Sequence, residues 1–346
     1  MNVILPGLTS LLAFVFALAL LDQWRERRRG FQAVWAVGMV FFAIASGAET
    51  LGAIAGWSDP LYRTWYWAGA VCTAAWLGLG TALLLNRTRF GYAYGALVLL
   101  GGMIAFAARN RYPDAGDSAL LIVIAAVIIG LAVMIETYFQ NERWPSIAAL
   151  GVIIGTVAAG IAAFALPLVG GGYTINPTTG VPTPDAIPGA ERLISLVLNV
   201  SGGLALVLGA LFSAYVFMPK KRVLDYSLDA GQSGDQFMFN LLIAPVAITV
   251  NFFVSLPGAV AALLRGQVHS RVPATLLIAA GGFVASAGDS LNRFGVTGPF
   301  AVAKLIAVVL LLAGFLVSIE AFREIRIPFT GIRLAGARRE AGTGSS

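Results

Sequence analysis

The chain has 346 residues, 58% of them hydrophobic and 12% charged, with a mean hydropathy of +0.83. Soluble domains carry about a quarter of their residues charged, so the composition excludes a water-soluble fold and specifies an all-α, polytopic transmembrane helical bundle. The net charge of +6 comes from basic residues clustered between apolar runs, which is the pattern of cytoplasmic anchoring rather than nucleic-acid binding. One cysteine and one histidine exclude a disulfide scaffold, a bis-histidine haem, a His/Cys zinc site and an iron–sulfur cluster, and no cofactor or metal is expected.

Seven apolar runs approach the length that crosses ~30 Å of hydrocarbon. They extend from about Val3 to Leu21, Phe31 to Trp57, Leu61 to Leu85, Phe90 to Ala108, Ser118 to Phe139, Ile147 to Val169 and Leu193 to Met218. No basic region precedes the first run and an arginine cluster follows it, so it reads as a retained span and not as a cleaved signal. With the N-terminus outside, the inner loops hold Arg25, Arg27, Arg28, Arg29, Arg87, Arg89, Arg143, Lys220, Lys221 and Arg222, whereas the outer loops hold Arg63, Arg109, Arg111 and Arg192. That asymmetry sets N-out for a seven-helix bundle over residues 1–218. The long connection from Gly170 to Glu191, rich in Gly, Pro and Thr, then lies outside as irregular chain, either capping a vestibule or merely connecting helices.

Residues 219–236 read as a cytoplasmic loop, followed by a C-terminal membrane region over 237–322. Strong spans run from about Phe239 to Leu264 and from Phe300 to Phe322, but the apolar run between them, Ala274 to Gly288, is short and rich in small residues. It is read as a re-entrant segment within 273–298. Nine full spans plus one re-entrant segment place the basic tail, 323–346, in the cytoplasm.

Ionisable groups inside a bilayer cost several kcal/mol and mark candidate sites. Glu49 leads, with Ser46 one turn away on its face. Asp289 and Lys304 flank the turn-like stretch Asn292 to Pro299 and are expected to neutralise each other. Asn251 and Ser255, one turn apart in a run interrupted by Pro245 and Pro257, are placed to line a polar pocket, with Asn199 contributing from the seventh run. Glu136 and Glu320 fall near helix ends, where a carboxylate reaches water. Trp57, Tyr62, Trp65, Tyr66 and Trp67 crowd the junction of the second and third runs; an interfacial aromatic belt explains them, and a cage for a quaternary ammonium or a stacking surface for a quinone or isoprenoid is the sharper alternative. The pairs Gly91/Gly95 and Gly151/Gly155 signify close helix packing.

No DDxxD, HExxH, GxSxG or Walker loop is present, so an enzyme is not expected. Two functions remain open. One is a secondary carrier of a small or lipophilic solute, with Glu49, Ser46, Asn199, Asn251, Ser255, Asp289 and Lys304 lining its pathway. The other is a non-transporting sensor or scaffold subunit that meets a protein partner or its own copies among the membrane lipids. A Glu49 face turned into a hydrated cavity favours the carrier and a dry helix contact favours the subunit. The Ala, Gly and Arg bias suggests a bacterial cytoplasmic membrane.

Overall fold

The computed structural model describes residues 3–139, 142–229, 231–265, 267–269, 271–293, 300–317, 324–326 and 333–336. Among them are ten helices long and apolar enough to cross a membrane: α1 Ile4–Arg27, α2 Gly30–Ala55, α3 Asp59–Leu84, α4 Phe90–Ala108, α5 Ser118–Tyr138, α6 Trp144–Ala165, α7 Gly189–Phe217, α8 Gly234–Leu264, α9 Arg271–Arg293 and α10 Phe300–Val317. A short antiparallel pair of strands, β1 Glu324–Arg326 with β2 Arg333–Gly336, follows. Chain apolar over such lengths becomes helical in lipid because only a helix satisfies every backbone donor and acceptor within one segment. The breaks come where local chemistry requires them: Arg28 closes α1 in the left-handed region (φ 52°), Gly56 closes α2 at φ 84°, and Pro60 sits in the first turn of α3.

Small residues set the packing. Gly38 of α2 meets Leu77 of α3, and the Trp35 indole N–H donates to the Leu77 carbonyl at 2.9 Å. Gly91 and Gly95 of α4 lie against Thr137 and Met134 of α5, while Gly151 and Gly155 of α6 lie against Ile129 and Leu198, so both glycine pairs are contact faces. At the crossing of α3 and α7, Gly78 and Gly202 face one another backbone to backbone. The central pair is thus α3 and α7. Helices α4 and α9 flank α7, α2 flanks α3, and α1 closes the ring between α2 and α10.

Contacts also fix which helix ends lie together. One end, here the basic end, carries Arg25 to Arg29, Arg87, Arg89, Arg143 and Lys220 to Arg222; the other carries the aromatic cluster. Helix α9 is antiparallel to α10, with Ala274 and Ile278 beside Gly314, and Gly288 beside Ala303. Val272 packs with Tyr215 and Met218, so α9 begins at the basic end. Over the segment expected to be re-entrant, 273–298, the described residues form part of a 23-residue helix that ends at 293 and is long enough to cross; residues 294–298 fall outside the described set. Thr275, Ser286 and Asp289 belong to this helix and shorten the apolar run within it. Glu320 and most of the tail also lie outside the described residues.

Candidate functional site

Near the aromatic end, Glu49 projects from α2 toward α3 and α10. The Lys304 ammonium donates to Glu49 Oε1, and the Trp65 indole N–H donates to the same oxygen at 2.8 Å. The Phe300 ring, one turn before Lys304, lies 3.9 Å from its ammonium. The side chains of Glu49 and Lys304 are 2% and 16% exposed, so the charges are held almost dry. Removing two ions from water costs several kcal/mol each, and only direct pairing with further donors and a ring face offsets it. The partner of Lys304 is therefore Glu49, from the other end of the chain, and not Asp289 as the local sequence implied. Asp289 is half-buried near the end of α9 and has interactions of its own. Ser46 is fully buried one turn before Glu49, and its Oγ has no partner among the described residues.

A second polar line runs down α7. Glu191, Ser195 and Asn199 recur at every fourth position and so share a face. That face meets a seven-residue π-helical stretch of α3, Trp67–Thr73. Ser195 Oγ and Asn199 Nδ2 both donate to the Ala70 carbonyl, at 2.8 and 3.0 Å. The wider π-turn changes the backbone register, and α7 supplies the side-chain donors that hold it; such turns often occur at functional sites. Glu191 is fully buried, and among the described residues neither of its carboxylate oxygens has a hydrogen-bond partner. Arg63 is near enough to interact with it electrostatically, but the Arg63 guanidinium donates to the Ala163 and Leu166 carbonyls at the end of α6.

The rings of the aromatic cluster pack against protein. Tyr62 is fully buried and Tyr66 nearly so. Tyr62 stacks on Tyr173 of the long connection at 4.3 Å and on Trp65 at 6.1 Å, and Trp57 meets Trp65 edge-on at 5.9 Å. The connection folds into a small hairpin over these rings: Asn176 Oδ1 accepts from the Thr178 and Thr179 amides, and Ile175 bridges Pro182. Trp57 donates to the Gly180 carbonyl and Tyr62 to the Thr183 carbonyl, both at 2.9 Å. Trp67 donates to the Thr156 carbonyl at 3.0 Å. Every indole in the cluster thus ends on a protein acceptor, and the rings fasten the hairpin to the bundle.

Asn251 and Ser255, buried on α8, lie elsewhere. Asn251 Oδ1 accepts from the Val223 and Leu224 amides at 2.8 and 3.0 Å, its amide donates to the Leu224 carbonyl at 2.7 Å, and Ser255 Oγ accepts from the Lys221 amide at 2.9 Å. They clamp the strap that leaves α7 at the basic end, far from Glu49 and Lys304. A pocket at that end is lined by Asn86, Arg87, Arg89, Thr137, Glu142 and Trp144 and includes none of the expected pathway residues. Three partly buried hydrogen bonds at about 1 kcal/mol each hold the strap to Asn251. Asn251→Leu is accordingly expected to release it, so that limited trypsinolysis cuts at Lys220 to Arg222 at least tenfold faster; an unchanged cleavage rate refutes the clamp.

Glu191 is the residue that the sequence did not single out, because beside Arg192 it reads as an interfacial charge at a helix start. Its periodic relation to Ser195 and Asn199 was the available signal. Among the described residues no cluster of His, Cys, Asp and Glu could hold a metal ion. Compared with protein-family models, curated proteins and solved structures, the chain matches none.

Proposed function

We propose that this polytopic membrane protein is a non-transporting sensor or scaffold subunit, without enzymatic activity, whose C-terminal helices are latched to its N-terminal bundle. The observation that carries this reading is the almost dry contact of Glu49 Oε1 with both Lys304 and Trp65. Asn199, Asn251 and Ser255 support it, because each is spent on protein backbone. A carrier has to hydrate its ion-binding carboxylate in turn from each side, and breaking this pair would strand two charges in the membrane.

Accessibility tests the reading directly. Ser46→Cys is expected to stay unmodified by a membrane-impermeant methanethiosulfonate from either face, under all solute and ion gradients tried. Modification from either face, above the blank set by the native chain with its buried Cys72, would refute the dry contact and restore the carrier. One observation favours the carrier as a second reading: the unpartnered Glu191 carboxylate beside the π-helical turn is the arrangement expected of a proton or cation site.

A further inference from the structure

We propose that α8 does not cross the membrane but lies in the cytoplasmic leaflet along the basic end of the bundle, with its exposed face in the lipid acyl chains. Helix α8 has 31 residues and is apolar enough to span, yet its contacts along its whole length are with one end of the molecule. Near its start, the Phe237 ring packs at 5.8 Å from Tyr92 and 5.1 Å from Tyr138, which are the basic-end turns of α4 and α5. In its middle, Asn251 and Ser255 bind the strap just beyond α7. Toward its end, Ala259 packs with Tyr215, Met218 and Val272, the basic-end turns of α7 and α9. From 237 to 259 a helix rises ~33 Å at 1.5 Å per residue. Were it upright, that rise would carry Ala259 across the hydrocarbon to the opposite end.

Parity gives the same answer independently. Helix α7 finishes at the basic end and α9 starts there, so the chain between them crosses the membrane either not at all or twice, and one continuous helix, Gly234–Leu264, cannot cross twice. Among the described residues no helix packs extensively along α8, as expected of a helix lying across the ends of its neighbours.

Lipid is the occupant of the outer face because of its chemistry and its extent. Phe239, Leu242, Val246, Phe253, Val260 and Leu264 are 51 to 83% exposed and follow one another at helical spacing from one end of α8 to the other. The face toward the protein is Ala244, Ala247, Asn251, Ser255 and Ala259, covered in part by the strap. Lys220, Lys221 and Arg222 on the strap and Arg265 beyond the helix are exposed at the level where anionic headgroups lie, and such flanking cations add electrostatic attraction to an in-plane apolar helix. The arrangement leaves nine crossing helices, and it returns α10 to the basic end, where Phe315 packs on Trp35. The arginine-rich tail is then cytoplasmic, in accord with the positive-inside rule.

Two cysteine probes decide the topology. Gln236→Cys in the first turn of α8 and Gln267→Cys beyond its last residue, both exposed, are expected to react with an impermeant maleimide in inverted vesicles and to be at least tenfold slower in right-side-out vesicles, against the blank of the native chain. Reaction from opposite sides overturns the proposal. Bimane at Leu242→Cys and Val260→Cys, in bilayers of phosphatidylglycerol and phosphatidylethanolamine, is expected to be quenched equally by one shallow lipid-borne nitroxide. Same-side labelling without lipid quenching would show that protein covers this face and would overturn the lipid assignment.

Discussion

Lys304→Met is expected to lower stability by about 3 to 5 kcal/mol, the cost typical of leaving one member of a buried ion pair without its partner. Glu49 is only 3% exposed, and after the substitution its carboxylate keeps the Trp65 indole but faces no cation. Glu49→Gln preserves an acceptor for Trp65 while stranding the ammonium over the Phe300 ring, so a loss of similar size is expected. The informative variant is the double replacement, Glu49→Gln with Lys304→Met, which removes both charges and keeps the indole bond. Its stability is expected to return to within about 1 kcal/mol of the native chain, because two neutral groups carry no desolvation penalty. Thermal unfolding in nanodiscs, followed by tryptophan fluorescence, reads all three. Additive losses in the double variant would mean that the two residues are not coupled.

The same pair shows what sequence could and could not convey. The all-helical, apolar character of the chain and the approximate extents of the first seven apolar segments follow from hydropathy, since a bilayer demands contiguous apolar length. Glu49 and Lys304 were each conspicuous because an ionisable group in lipid is costly, but their partnership spans 255 positions. A local argument instead set Lys304 opposite Asp289. Asn251 and Ser255 were recognised as a polar face and expected to line a pocket, whereas both bind the strap that follows α7, a contact that hydropathy does not encode. The aromatic run was visible as an anomaly, but its role as an anchor for the 173–183 hairpin depends on acceptors more than a hundred positions away. Glu191 was hidden by its neighbour: Arg192 pairs outward with Asp185 at 3.9 Å, while the residue before it turns inward, a difference that only the helix phase reveals.

The largest effect from a single added methyl-sized group is expected at the crossing of α3 and α7. A Cβ at Gly78 would meet the Gly202 backbone, and a Cβ at Gly202 would meet the backbone of Ala74 and Ala75. Neither neighbour is a flexible side chain that can rotate away, so the helices themselves must separate. Overpacking usually costs about 1 to 3 kcal/mol, and here separation would also stretch the Ser195 and Asn199 bonds to the Ala70 carbonyl, each worth about 1 kcal/mol. Gly202→Val is therefore expected to lose about 4 kcal/mol or more and to elute largely aggregated after detergent extraction, with Gly202→Ala intermediate. Gly258→Ala is the control: it lies within α8, where an added Cβ meets nothing within 4 Å, and helix propensity alone favours alanine over glycine by up to about 1 kcal/mol. If Gly202→Val remains monodisperse with a native unfolding temperature, α3 and α7 cannot be in backbone contact, and the π-helical turn loses the helix that supports it. If both variants behave as expected, close approach of α3 and α7 is what places Ser195 and Asn199 within reach of Ala70, and what encloses the Glu191 carboxylate above them.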